Sequence, residues 1–375
     1  MEAISLVQRG NLQSLERTLR RQWRLGQNIV LCWSPDEHGL LVIFVPHYFL
    51  GNYCAPGRED GASGADNERY VRDLISGRRQ KQRQELFAVA ERLGAAPTFI
   101  KLDHPLESAP PVFKAVEQLI RRYGISFVGR RAVLLFDITD FSLHTPFEQA
   151  SQLNSLSYSM NSVYNKLAAQ GLEVNFARTT TGDGYYVWNR DTGPEADRRL
   201  FEFFLLTLLD NQLARAASRG KTVPVIRAGF HVGSHYELYQ AEGVNPSVIS
   251  YIVGDVTIEL ARMLDAAVPG QVLVGDFAGA GTIGGEVAAV RGAADSDTRA
   301  FVDERDAGLG RIRGVRMMGR EIDGLRCWLS SDDDGSPRIV TVEDKHGLSH
   351  RAYNLELAVD LEGEEHRLGH GAAAG

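Results

Sequence analysis

The sequence predicts an α+β protein: a ferredoxin-like βαββαβ core, preceded by an N-terminal α/β unit and followed by a small strand-rich C-terminal extension. Three observations predict it. Apolar runs alternate with helix-length amphipathic segments through the middle of the chain. Within that stretch two strand-like runs flank Thr181-Gly182-Asp183-Gly184, a hairpin signature. Beyond about residue 300, short strand-like runs take over. With 375 residues the chain is too long for one small domain, and the expected units are 1–125, 126–300 and 301–375.

In the first unit, Leu12–Leu25 has helical spacing and many arginines, read as a solvated face. Asn28–Trp33 and Leu40–Val45 are expected strands joined by a turn at 34–39. A loop rich in glycine and acid spans 56–68, and amphipathic helices are expected near 69–77, 81–94 and 111–123. In the middle unit, Ala132–Phe136 is an unbroken apolar run, the mark of a strand buried on both faces. Phe147–Gln170 has helical period, and Glu173–Thr179 and Tyr185–Trp188 form the hairpin arms. Arg198–Ser218 is a second helix and Val223–Val232 a strand. Thr257–Ala267 is a third helix, stopped by Pro269-Gly270 before the strand Gln271–Val274. In the tail, Arg320–Leu329, Arg338–Val342 and Ala352–Val359 are expected strands. A linker is expected at 331–336, a turn at 344–347 and disorder over the last six residues. The polar segment Asp344–Tyr353 reads as a surface hairpin.

Composition narrows the function. Hydrophobic residues make up 43%, enough for a sizeable core, and the net charge of −7 disfavours general nucleic-acid binding. Cys32, Cys54 and Cys327 are scattered and fit no zinc spacing, so they read as reduced thiols. The N-terminal residues are charged throughout, unlike a signal peptide. The apolar runs Leu40–Val45 and Leu200–Leu209 are too short to span a bilayer. A cytoplasmic protein that binds neither membrane nor nucleic acid is expected.

The candidate chemistry lies at two strand ends. Phe136-Asp137-Ile138-Thr139-Asp140-Phe141-Ser142 and Thr181-Gly182-Asp183-Gly184 each deliver a carboxylate into a tight turn. Magnesium and manganese take hard oxygen ligands, and a metal pair can stabilise both attacking and leaving oxygens. Asp137 and Asp183 are therefore the candidate ligands. The bland readings are a turn or helix cap for Asp137 and a hairpin residue for Asp183.

Four segments stand in order. They are FDITDFS from Phe136, TTGDGYYVW from Thr180, VIRAGFHVG at Val225–Gly233, and YIVGDVTIELARML from Tyr251 followed by PGQVLVGD from Pro269. Together they resemble the catalytic domain of class III nucleotide cyclases. The resemblance implies two Mn2+ or Mg2+ ions per site on Asp137 and Asp183, with the Ile138 carbonyl as an extra ligand. It implies substrate contacts at Phe136, Ile138, Thr139 and Phe141, with the main-chain amides of 138–141 facing phosphate oxygens. Arg262 aligns with the transition-state arginine, whose planar, permanently charged head suits a phosphoryl group. Because family sites lie between two such domains, a head-to-tail homodimer with two sites is implied. His231 is expected to be structural, Asp140 to cap the next helix, and Arg262 has a surface salt bridge as its alternative.

The departures bear on substrate. The Lys and Asp that read a purine in this family fall on Thr179 and Tyr251, and the transition-state asparagine falls on Ile258. A hydroxyl and a phenol cannot reproduce the charged pair, and tyrosine shrinks the pocket. With FDITDFSL and the EQASQLNSL of residues 148–156, the pattern resembles the pyrimidine cyclases of Pycsar antiphage systems. That implies a nucleoside triphosphate substrate, UTP or CTP, and a cyclic product that reaches a separate effector. Two readings stay open beside it: a purine cyclase with an altered pocket, and a catalytically silent nucleotide-binding regulator.

Overall fold

The computed structural model describes residues 4–26, 29–55, 64–242, 245–277, 294–333, 335–343, 347 and 349–369. The chain forms two units, Met1–Gly129 with Tyr236–Ile252, and Arg130–His235 with Val253–Gly375. The turn expected at 344–347 lies outside the described residues except for Gly347, as do the final six residues and positions 56–63 of the expected loop.

The first unit contains α1 (Leu6–Arg24), β1 (Ile29–Asp36), β2 (Gly39–Val45), α2 (Phe49–Cys54), α3 (Gly64–Ser76), α4 (Arg83–Leu93), β3 (Pro97–Lys101) and α5 (Pro110–Arg121). The strands form an antiparallel sheet in the order β1-β2-β3. Alternation along β2, and along β1 apart from a register shift between Val30 and Cys32, divides their residues between two cores. Leu31, Leu41 and Ile43 join α3 and α4 on one side, and Val30, Leu40 and Val42 join α1 and α5 on the other. Two elements escaped the sequence reading, α2 and β3, because each is too short to show a period. Residues 64–68, expected as loop, are the first turns of α3. Helix α1 starts at Leu6 rather than Leu12, because the Ser5 hydroxyl accepts from Gln8 N at 3.3 Å and caps it.

The second unit begins within β4 (Ser126–Ile138). It continues through α6 (Pro146–Ala169), β5 (Phe176–Thr180), β6 (Gly184–Asn189), α7 (Pro194–Ala217) and β7 (Ile226–Glu242). Strand β8 (Asn245–Val253) follows and, like the end of β7 from Tyr236, groups with the first unit up to Ile252; then come α8 (Asp255–Asp265), β9 (Val272–Gly275) and α9 (Ala294–Gly308). The chain ends with β10 (Arg316–Met317), β11 (Arg320–Leu329), β12 (Ile339–Glu343), β13 (Ser349–Leu361) and β14 (Glu364–Leu368). The main sheet runs β10-β11-β13-β9-β7-β4-β6-β5. Its β7-β4-β6-β5 half is the ferredoxin-like order, so the expected α+β core is observed. The C-terminal strands extend the same sheet, since β13 pairs antiparallel with β9 at Ala352–Asn354. The stretch 294–308 is helical; the sequence reading had no element there, and its Phe301 packs edge-on against Phe201 of α7.

The two faces of the sheet differ. Ala132, Leu134, Phe136, Ala228, Phe230 and Val232 point into the core under α6 and α7. The opposite face of β7 carries Arg227, Gly229, His231 and Gly233. There α8 approaches so closely that a Cβ at Gly229 would stand 2.9 Å from Leu260, and one at Gly233 3.1 Å from Val256. Those glycines are what let a helix lie directly on the strand.

His231 is buried against Gly275, where an added Cβ would meet its Nδ1, and beside Phe277. Burial pulls its pKa down to about 4, so it is a neutral core histidine. The unfolded chain takes up that proton near pH 6.5 and the folded chain only near 4. Stability is therefore complete above pH 6.5 and falls by on the order of 3 kcal/mol as pH drops to 4. Burial, with Arg131 nearby, moves His235 the same way, to about 3. Urea unfolding at pH 7 and pH 5 should show this fall, and His231→Gln should make it smaller.

Candidate active site

The site is built by the register of β4 and β6. Asp137 lies opposite Gly184 and Phe136 opposite Tyr185, and Ile138 N donates to Asp183 O at 3.0 Å. A side chain at 184 is excluded, since its Cβ would stand 1.9 Å from the Phe136 carbonyl oxygen. Asp137 and Asp183 are therefore cross-strand neighbours at the ends of adjacent strands. Thr181 Oγ1 donates to Asp183 Oδ1 at 3.2 Å, which orients the second carboxylate.

Electrostatics tie the two acids together. Burial pushes the Asp137 carboxyl above the usual carboxylate range, and the negative charges of Asp183 and Asp265 add to that. Arg227 works against the rise, with Nε donating to Asp137 Oδ2 at 2.6 Å and Nη1 to the Ala267 carbonyl at 3.1 Å. Tyr186 is pushed up to about 12, by burial first and then by Asp137 and Asp265.

The other expected residues divide. Phe136 is corrected as a substrate contact: the alternation that turns Asp137 outward turns its ring into the core, fully buried and 5.6 Å from Phe204. Ile138 is buried as well, so only its backbone can serve the site. The amides of Ile138 and Thr139 are committed to Asp183 O and Val225 O, both at 3.0 Å, and the Thr139 hydroxyl also donates to Val225 O. Of the four amides expected to face phosphate, that leaves those of Asp140 and Phe141. Asp140 makes no side-chain cap. Its backbone is left-handed (φ 55°), a conformation aspartate tolerates better than most residues. The next helix is capped instead by Thr145 and Glu148, with Thr145 N donating to Glu148 Oε2 at 2.9 Å.

Thr179 lies opposite Tyr186 on β5. That register places it on the Asp137 face of the sheet. Tyr251 is 38% exposed on β8, in the segment that groups with the first unit. Ile258, 52% exposed, and Arg262 both lie on α8, and Arg262 Nη1 is 3.4 Å from Asp265 Oδ2. Two residues at the acids were not singled out from sequence, Arg227 and Tyr186. Arg227 could have been found: it alternates with Gly229, His231 and Gly233, so it must share their face.

Among the described residues, no group of three or more His, Cys, Asp or Glu forms a metal cluster. The donor set that is present, two adjacent carboxylates at the end of the sheet, fits hard divalent cations such as Mn2+ or Mg2+ whose remaining ligands come from substrate oxygens. Two cavities among the described residues, of about 210 and 520 Å3, are lined by neither acid. No helix among the described residues is long and apolar enough to cross a membrane.

No protein-family model matches the chain, and no curated protein matches it. Among solved structures, it is similar to the guanylate cyclase domain of RhGC from Catenaria anguillulae, in complex with GTP, at 15% identity. That match covers 63% of this chain and 98% of that one, with a TM-score of 0.37. It is also similar to the adenylyl cyclase CyaB from P. aeruginosa, at 13% identity, covering 61% and 94%, with a TM-score of 0.36. A likeness of this degree says nothing about which substrate this chain takes.

Proposed function

We propose that this chain is a pyrimidine nucleotide cyclase, converting UTP by preference, or CTP, to the 3′,5′-cyclic monophosphate and pyrophosphate. One observation carries the reading: Asp137 and Asp183 as cross-strand neighbours, with Arg227 against the first. In the reaction the ribose 3′-oxygen bonds to the α-phosphorus, the bond from that phosphorus to the oxygen bridging to the β-phosphate breaks, and pyrophosphate and a proton leave. Asp137 and Asp183, with the Ile138 carbonyl, would hold two Mn2+ or Mg2+ ions. When bound, the ions lower the pKa of the 3′-hydroxyl and neutralise charge on the triphosphate.

The remaining roles fall to this chain's own side chains. Arg227 holds the Asp137 carboxylate and places a fixed positive charge beside the triphosphate. Arg262 is assigned to the charge building on the phosphoryl oxygens, presented by a second copy of the chain. A phosphoryl-transfer site is served by a second surface that excludes water, and the exposed Ile258 on the same helix as Arg262 supports a dimer contact. Thr179 supports a small base, because its hydroxyl stands where a purine reader would need a charged amine. Tyr251 is assigned to the same base. The motif wording of residues 136–156 supports delivery of the product to a separate effector in antiphage defence.

The test is to incubate the purified protein with each of the four nucleoside triphosphates and Mn2+, then identify products by mass spectrometry. Cyclic UMP or cyclic CMP is the expected main product. Cyclic AMP or cyclic GMP in its place would move the assignment to a purine cyclase, and nucleotide binding without product would move it to a silent regulator. Thr179→Ala is expected to lower kcat/KM for the preferred pyrimidine about tenfold, the loss of one hydrogen bond to the base.

A further inference from the structure

Helix α8, which carries Ile258 and Arg262, is held from both flanks by polar contacts. On one flank the Tyr186 hydroxyl of β6 donates to Thr257 O at 2.8 Å. On the other, His350 Nδ1 of β13 lies 2.7 Å from Glu259 Oε2, where the ring N–H donates to the carboxylate. The strand order β13-β9-β7-β4-β6 puts β7 midway between those two strands. It is on β7 that the apolar side of α8 rests, at Gly229 and Gly233.

An apolar seam is non-directional and leaves a helix able to roll. A hydrogen bond has a preferred direction and stops the roll. His350 is only 7% exposed, so water cannot readily take over its contact with Glu259. Its strand is itself fixed to the end of β9, since Asp276 N donates to Arg351 O at 3.1 Å and Arg351 Nε lies 3.5 Å from Asp276 Oδ2.

We propose that His350 is a positioning residue for α8: by holding Glu259, the C-terminal strand β13 sets the rotation at which the helix presents Arg262. The proposal rests on the cyclase reading and adds to it a task for the C-terminal strands. Glu259 and Arg262 are three residues apart and so are neighbours on the helix surface. A roll of about 10° moves a group at that surface, about 5–6 Å from the axis, by about 1 Å. A misplacement of about 1 Å in a reacting assembly can cost up to about a hundredfold in rate.

The experiment compares His350→Leu, His350→Asn and Glu259→Ala with the wild type in the full-length protein. Two quantities are read: kcat and KM for the preferred triphosphate, and hydrogen exchange of the α8 amides. His350→Leu and Glu259→Ala are expected to lower kcat about tenfold with KM within about twofold, and to speed exchange across 256–265 about tenfold. His350→Asn, whose amide N–H can stand where the ring Nδ1–H does, is expected to keep both near wild type. The double variant His350→Leu/Glu259→Ala should be no worse than either single one.

Unchanged kcat in Glu259→Ala overturns the proposal, even where exchange is faster, and so do single effects that add in the double variant. Glu259 is 38% exposed, so its variant decides the matter if His350→Leu fails to fold. The exchange arm needs no turnover. A wild type that makes no cyclic product from any triphosphate would sink the cyclase reading, while unchanged α8 exchange in Glu259→Ala would sink the tether.

Discussion

Asp137→Asn is expected to give a folded protein that makes no measurable cyclic nucleotide. The loss should be at least about a thousandfold, because one carboxylate of the cation pair is gone and little else can supply its charge. Folding should respond the other way. Burial, with the charges of Asp183 and Asp265, holds the Asp137 carboxyl above its ordinary range despite Arg227. An acid whose folded pKa is raised stabilises the fold only while protonated. That contribution is lost as pH rises through the folded value, so the ionised group weighs against folding at neutral pH. Asparagine removes the weight, and the melting temperature at pH 7.5 should be unchanged or higher. Asp183→Asn should lose activity to the same degree. Activity retained in both variants would remove the metal assignment, and a fall of many degrees in melting temperature would recast Asp137 as a structural residue.

Gly184→Ala is expected to have the second largest effect, and for a different reason. The new Cβ would stand 1.9 Å from Phe136 O and 3.1 Å from Asp137 Cα, both backbone atoms that cannot swing aside. The β4–β6 pairing must open where it sets the two acids side by side. Overpacking of this kind costs about 3 kcal/mol, and activity should fall with it by at least about a hundredfold. Thermal unfolding and cyclic-product yield, measured together, check this. An alanine variant with wild-type stability and wild-type turnover would mean that the two strands do not meet in this register.

Much of the site was legible because each of its two acids stands in a short local pattern. Asp137 follows an unbroken apolar run, and Asp183 sits in a two-glycine turn; either pattern marks a strand end without knowledge of the fold. The βαββαβ order was legible too, since α6 and α7 are long and β4 and β7 are apolar. The elements missed, α2, β3, β8, α9, β10 and β14, are mostly short or weakly periodic and acquire their structure from neighbours.

Phe136 shows a different limit. A motif places it beside a candidate ligand, and only the alternation of a real strand reveals that its ring must point the other way. Arg227 shows the converse: alternation with Gly229 and His231 gives its face, but its partner Asp137 is 90 residues distant, and no local pattern names the partner of an ion pair between strands.

By itself, then, the amino-acid order determined which residues end strands, where helices begin, and that carboxylates stand in two turns. Those are consequences of periodicity, capping and backbone freedom, which act over a few neighbouring residues. The tertiary structure decided which turns meet, which side of the sheet faces the acids, and that β13 reaches α8 through His350. These depend on strand register and helix docking, where residues far apart in the chain compete for one place, and no local rule can say which of them wins.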